Sequence, residues 1–231
     1  MRRSKLYKSQ VGSFEASARY SVKDALNALK AMPAVKFDQT VEAAFRLGID
    51  PRKSDQNVRG AVALPSGTGK SVRVAVVCDG PQADAAKAAG ADFVGYEDLV
   101  EQIKNGWQDF DILIATPNAM KLVRPLGRQL GPRGLMPNPK TGTVTENVEP
   151  AVKEAKAGRV EFRADKGGCV HVPFGKMSFT AEALEANLRV IIDALLKARP
   201  SSTKGAYMLG CTLSATMTPG VRLNSKELSG E

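Results

Sequence analysis

From Val72 the chain reads VRVAVVCD, a continuous apolar run, and no other segment limits the fold so much. A strand with one face in water alternates polar and apolar residues, whereas a strand that is apolar throughout is covered on both faces. The Ala-rich helix QADAAKAAG follows, then the short strand ADFVG, the helix YEDLVEQIKNG and the strand FDILIAT. Strand–helix–strand alternation with short loops signals a parallel sheet covered by helices, a Rossmann-like unit. A Gly-, Pro- and Arg-rich loop over 118–139 comes next, and a helix at about 147–158 closes the unit.

The flanks follow another pattern. A helix is expected over 21–32, with Ser21 as N-cap and Asp24 at the third helical position. In KFDQTVEAAFRLGID, Val41, Ala43, Phe45 and Leu47 alternate as in a half-buried strand. RGAVALP (59–65) reads as a second strand, and VEFRADKGGCVHVPFG as a hairpin turning at 165–168. Residues 181–199 form an amphipathic helix with Leu184, Leu188, Ile191, Ile192 and Leu195 on one face. A last strand over 206–215 runs into TMTPGVRL.

The fold class is therefore α/β with two domains. A discontinuous α+β terminal domain takes residues 1–66 and 159–231, and an inserted Rossmann-like three-layer α/β domain takes 67–158. Gly67 and Gly158 stand at the crossings and are the expected hinges.

Charge divides the chain at the same places. There are 33 Lys and Arg against 24 Asp and Glu, net +9. Residues 67–158 hold 11 basic and 11 acidic groups, residues 1–66 hold 12 and 6, and residues 159–231 hold 10 and 7. The whole excess thus lies in the terminal domain, which suggests a face for an anionic partner. The plainer reading, basic residues scattered over a solvated surface, stays open.

Several function classes are excluded. No run of about 18 apolar residues occurs, so no membrane partner is expected. The basic start MRRSKLYKSQ lacks the apolar stretch of a secretory signal. Three cysteines far apart, Cys78, Cys169 and Cys211, make neither a disulfide framework nor a CxxC metal pair, so a reduced cytoplasm is the natural compartment. The single histidine, His171, leaves no His-rich metal centre. SGTGKS resembles a phosphate loop, but Leu64 stands where the first glycine is needed and a strand follows where a helix is needed. No GxGxxG follows the first parallel strand either. The chain is read as non-enzymatic, with no metal and no cofactor.

No acidic residue lies between Asp111 and Glu146, while Lys121, Arg124, Arg128, Arg133 and Lys140 do. That net +5 suits phosphate contact, and it equally suits arginines capping carbonyls of an irregular loop.

LVRPLGRQLGPRGLMPNPKTGTV strongly resembles the signature of the ribosomal protein L-one family, the stalk protein of the large ribosomal subunit. KFDQTVEAAFRLGIDPRKSDQNVRGAVALPSGTGK, AKAGRVEFRADKGGCVHVPFGKMSF and LSATMTPGVRL resemble the same family, in family order and in its bacterial type, from about residue 19. The resemblance implies a terminal domain that binds large-subunit (23S) rRNA, with a Rossmann-like domain inserted in it. It implies a mobile stalk that assists release of exit-site tRNA, repression of translation through the protein's own-operon mRNA, and a monomer when free. It also implies a cytoplasmic, ribosome-associated protein.

By motif position the resemblance carries RNA contact to Lys36, Phe37, Thr40 and Glu42, to His171, and to Ser214, Thr216, Met217 and Thr218. The chemistry is consistent with RNA. Lys36 neutralises phosphate, the threonine hydroxyls bond 2′-hydroxyl or phosphate oxygens, and Phe37 packs on sugar or base. Met217 fills an apolar gap, and Glu42 accepts a 2′-hydroxyl or base amino proton. Taken alone, Phe37 could equally be core, Met217 a loop plug, Glu42 a solvated strand residue and His171 a structural one. Thr218 departs from the family, which usually has glycine there. Replacing Thr218 with Gly is expected to leave affinity equal or better.

Two other readings compete. One is a nucleotide-binding protein using the Rossmann-like middle and SGTGKS, and it requires a role for Lys70. The other is a general basic nucleic-acid or anionic-surface binder, with equal affinity for duplex DNA, random RNA and stalk RNA.

Overall fold

The structure, a computed structural model, describes residues 3–33, 35–224 and 228. Alternation makes the first strand, β1 (Thr40–Leu47): Val41, Ala43, Phe45 and Leu47 are buried, and Glu42 and Arg46 are exposed. Two helices precede it, α1 (Lys5–Val11) and α2 (Val22–Ala31). The Ser21 hydroxyl accepts from the Asp24 amide at 3.2 Å and donates to the Asp24 carboxylate at 2.7 Å, which starts α2 where the cap signal put it. The strand β2 (Arg59–Ala63) follows β1.

The next elements are β3 (Val74–Val77), α3 (Pro81–Ala88), β4 (Phe93–Gly95), α4 (Glu97–Lys104) and β5 (Ile112–Ala115). Then come α5 (Met120–Val123), α6 (Gly127–Leu130) and α7 (Val148–Gly158). The remaining elements are β6 (Arg159–Arg163), β7 (Cys169–Lys176), α8 (Ala181–Lys197), β8 (Met208–Ala215) and β9 (Val221–Arg222). The fold is mixed α/β. It divides into two compact units, Met1–Gly69 with Val160–Glu231, and Lys70–Arg159.

In the first unit β7, β1, β8 and β9 lie side by side in that order as an antiparallel sheet, and β2 pairs with β6 in a separate two-stranded sheet. The buried face of the larger sheet presents Phe45, Val172 and Leu213 to a core shared with Leu26 and Leu29 of α2 and Leu184, Leu188, Ile191 and Leu195 of α8. Full burial of each such side chain contributes about 1.5–3 kcal/mol, so the helical stripe of α8 fixes which face of the sheet turns inward. Asn187 is the polar exception on that stripe. Its Nδ2 donates to the Phe174 carbonyl at 2.8 Å and the Gly67 carbonyl at 3.0 Å, and its Oδ1 accepts from the Ser66 amide at 3.0 Å.

In the second unit β4, β3 and β5 form a parallel sheet with β3 central. Val74, Val76 and Ile114 pack against Ala86 of α3 and Val148 and Val152 of α7. Ala75, Val77 and Leu113 pack on the other side with Leu99 and Ile103 of α4, Val123 of α5 and Leu130 of α6. Every residue of β3 is buried because helices cover both its faces.

Three expectations need correction. Residues 159–176 do not make a paired hairpin: the turn closes through the Asp165 amide and the Cys169 carbonyl at 2.8 Å, but β6 joins β2 while β7 joins β1. Gly60 of β2 admits the partner strand, since the Phe162 ring fills the space where a Cβ on Gly60 would lie, 2.6 Å away. The segment 118–139 is not an irregular loop throughout either. Its first half, residues 120–130, coils into successive helical turns that bury Ala119, Val123, Leu126 and Leu130, while 131–138 stays in turns and irregular chain. Finally, the strand over 206–215 is not the last: β9 forms within TMTPGVRL, held by pairing of Val221 with Leu213 and Arg222 with Thr212.

Candidate nucleic-acid interface

Antiparallel register puts directly opposed residues on the same face of a sheet. Glu42 stands opposite Pro173 of β7 and Ser214 of β8, and Ala44 stands opposite His171 and Thr212. These side chains lie on the face turned away from the core, where Glu42 and His171 are exposed and Ser214 is half-buried.

At the β1 entrance three chain segments are tied by hydroxyls. Lys176 Nζ donates to Thr40 Oγ1 at 2.9 Å. The Thr40 amide donates to Thr216 Oγ1 at 3.2 Å, and the Thr216 amide returns a bond to the Thr40 carbonyl at 3.1 Å. Next to them Gln39, only 3% exposed, accepts the Met217 amide on its side-chain oxygen at 2.8 Å and the Met177 amide on its main-chain oxygen at 2.9 Å. Asp38 accepts from the Ser178 amide at 3.1 Å and hydroxyl at 2.8 Å.

Over this bonded base stand two large apolar side chains, Phe37 and Met217, each 53% exposed. Neither is core and neither plugs the loop. An open groove of about 520 Å³ runs beside Phe37, walled by Met32, Val35, Met177 and Lys30. Lys36 is exposed next to Phe37. Thr218 Oγ1 accepts the Ala215 amide at 2.8 Å and donates to its carbonyl at 3.3 Å, so the threonine hydroxyl is used within its own turn.

The structure therefore brings Thr40, Thr216, Met217 and Thr218 into one bonded cluster. Glu42 and Ser214 are cross-strand neighbours one step along the face, and His171 lies in the following row. Exposed apolar side chains on a hydroxyl-rich, cation-flanked platform suit a ligand that offers sugars, bases and phosphates.

Residues 29–219 match the model of the Ribosomal protein L1p/L10e family. The chain belongs to this family. This ribosomal protein is 56% identical over 228 residues to the large ribosomal subunit protein uL1 of Saccharophagus degradans, covering 99% of the chain and 97% of its relative. It is 54% identical over 227 residues to uL1 of Mannheimia succiniciproducens, with 98% of each chain covered, and 54% identical over 226 residues to uL1 of Methylobacillus flagellatus, again with 98% of each covered.

Family motifs did not single out the residues that hold the cluster, Gln39, Lys176 and the Asp38–Ser178 pair. Their only signal was adjacency, since Gln39 sits inside KFDQTVE and Lys176 inside VHVPFGK. Gly67 (φ +67°) and Gly158 (φ +104°) both occupy the left-handed region. Arg124, Arg128 and Arg133 are exposed, and among the described residues none of them caps a carbonyl or meets a carboxylate.

The enzymatic alternative loses its parts. SGTGKS leads into β3, and the Lys70 ammonium lies 2.7 Å from Asp111. Burial pushes the Cys211 thiol up to about 12 and also raises Cys78, so neither is a ready nucleophile. No group of three or more His, Cys, Asp or Glu among the described residues is placed to hold a metal, and no described helix is long and apolar enough to cross a membrane.

Proposed function

We propose that this ribosomal protein binds large-subunit (23S) rRNA at the mobile stalk through the β7–β1–β8 end of its first unit. It is a constituent of the large ribosomal subunit and works in the cytoplasm, on the ribosome. In this reading residues 1–66 and 159–231 are the RNA-binding domain, and 67–158 the inserted Rossmann-like domain. Gly67 and Gly158 are the hinges. Family membership supports two further roles, assisting release of exit-site tRNA and repressing translation of its own-operon mRNA. No step of this is catalytic, and the free protein is a monomer.

One observation carries the reading: Phe37 and Met217 are exposed on a main chain that neighbouring residues tie down. Gln39 fixes the backbone of Met217, and Thr40 and Thr216 are locked together beneath them. Two large apolar groups on a main chain tethered at Asp38 and Met217 have part of their ordering cost met before binding. The hydroxyls and Glu42 then supply 2′-hydroxyl and base-edge contacts, and Lys36 a phosphate contact.

The test is titration of the full chain with a stalk rRNA fragment, an unrelated RNA and duplex DNA over a range of salt. Selective stalk binding is expected, with Phe37→Ala and Met217→Ala weakening it and leaving the salt slope almost unchanged. Lys36→Ala should lower the slope by roughly one unit. Equal affinity for all three nucleic acids would instead identify a general polyanion binder.

A further inference from the structure

The outward face of the four-stranded sheet continues well beyond the residues given a role above. Register puts His171, Ala44, Thr212 and Arg222 in one row across all four strands. Arg46, two residues beyond Ala44 on β1, starts the next row, opposite Cys169 and Gly210. Arg46 and Arg222 are both exposed, and neither guanidinium meets a carboxylate among the described residues.

We infer that Arg46 and Arg222 form a second phosphate-binding strip on this face, along which the RNA bound at the Phe37–Met217 end continues across the sheet. This rests on the RNA-binding reading and extends it to two residues that the family motifs leave without a role.

Charge selects the occupant. The strand residues that register puts on this face carry three cations, Arg46, Lys176 and Arg222, and one carboxylate, Glu42. Glu42 lies toward the Thr40 end, so the far half of the face is wholly cationic. Spacing suits a polyanion better than a single ion. Arg222 is two strands from β1, about 10 Å at about 4.8 Å per strand, and Arg46 is a further two residues along, about 7 Å. Two cations placed about 12 Å apart reach separate, non-adjacent phosphates of one nucleic acid segment, whose backbone carries a charge every few ångström. The small side chains between them, Ala44 and Thr212, leave room for a backbone to lie close. Guanidinium forks bond phosphate oxygens in pairs.

The experiment measures the salt dependence of stalk-fragment binding by the full chain, by Arg46→Gln with Arg222→Gln, and by the charge-keeping Arg46→Lys with Arg222→Lys. Arg189→Gln, an exposed cation on α8 already paired with Glu185 at 2.6 Å, serves as the control. The expected result is a log–log slope shallower by roughly 1.5 to 2 for the double Gln variant, restored by the double Lys variant and unchanged in the control. Selectivity for the stalk fragment over unrelated RNA should survive, since the strip contacts phosphates only. If the double Gln variant keeps the parent slope while the parent binds the stalk selectively, the strip is refuted and the functional reading stands. If the parent shows no selectivity for stalk RNA, the functional reading fails and the strip, which depends on it, falls too.

Discussion

Thr216 and Thr40 are joined three times: the amide of Thr40 donates to Thr216 Oγ1 at 3.2 Å, the amide of Thr216 donates to the Thr40 carbonyl at 3.1 Å, and Thr216 Oγ1 donates to that carbonyl at 3.4 Å. The pair is exposed to solvent, so water can replace a lost hydroxyl in the free protein. Thr216→Val should therefore cost below about 1 kcal/mol of stability. If RNA covers this position as proposed, the position is desolvated there, and the loss should reach roughly tenfold in affinity. Thr216→Ser should restore it. Urea denaturation and RNA titration on the same three proteins check both halves, and a stability loss equal to the binding loss would mean that Thr216 acts only through the fold.

Asn187 is fully buried and serves three main-chain groups, two carbonyls and one amide. Asn187→Leu fits the apolar stripe of α8 by shape but strands those groups. Each stranded buried group costs about 1–3 kcal/mol, and partial rehydration at Ser66 and Gly67 reduces the sum to about 2–4 kcal/mol. Asn187→Asp keeps only the acceptor for Ser66 and should do no better. Equilibrium denaturation followed by circular dichroism decides it, and a loss under about 0.5 kcal/mol would show that the network carries little.

In the second unit the Lys70 ammonium beside Asp111, helped by the Arg73 amide and side chain, lowers that carboxyl to about 2 from its ordinary 3.8. A folded-state value below the unfolded one stabilises the protein above the unfolded value, and the gain disappears as pH falls through the folded one. The window is thus pH 4 down to pH 2. A displacement of this size sets a ceiling of about 2 kcal/mol, and screening of the partly exposed pair brings it to about 1 kcal/mol. Asp111→Asn should be less stable than the parent by that amount at pH 7, with most of the difference gone at pH 2 and the rest lost by about pH 1. Trp107, the single tryptophan, packs edge-on against Phe93 in the same unit and gives the fluorescence signal for the transition.

Periodicity and caps made some elements readable without coordinates. The alternation of β1, the Leu and Ile stripe of α8 and the Ser21 cap each record a local rule, and each element formed within two residues of its expected ends. Long-range choices were not readable. Nothing local to VEFRADKGGCVHV says that β6 will leave β7 for β2, because the strand that receives it, with Gly60 making room for Phe162, lies about a hundred residues away. The Pro and Gly punctuation of 118–139 hid an apolar spacing, at Ala119, Val123, Leu126 and Leu130, that goes with helical turns in its first half. In the site, motif position pointed to Phe37 and Met217, but only packing distinguishes an exposed platform from a core plug. Gln39, which fixes Met217, carried no signal of its own, since a buried glutamine is recognised only once both of its partners are in place.

Thr218 closes the turn that carries Met217, and this shifts the sign expected for its replacement by glycine. Its amide donates to the Ala215 carbonyl at 3.0 Å, and its hydroxyl accepts from the Ala215 amide at 2.8 Å. No described residue other than glycine has a positive φ, so threonine sits here without backbone strain. Glycine would remove the hydroxyl bond, about 1 kcal/mol, and add the freedom of an unsubstituted backbone, about 0.5–1 kcal/mol. Both terms loosen Met217 before RNA arrives, so Thr218→Gly should lower affinity for the stalk fragment by roughly tenfold. Thr218→Ser keeps the hydroxyl and should bind within about twofold of the parent, whereas Thr218→Val keeps the bulk, loses the bond and should fall between the two. If Thr218→Gly bound as tightly as the parent, close backbone approach would outweigh the ordered turn, and the hydroxyl would be dispensable.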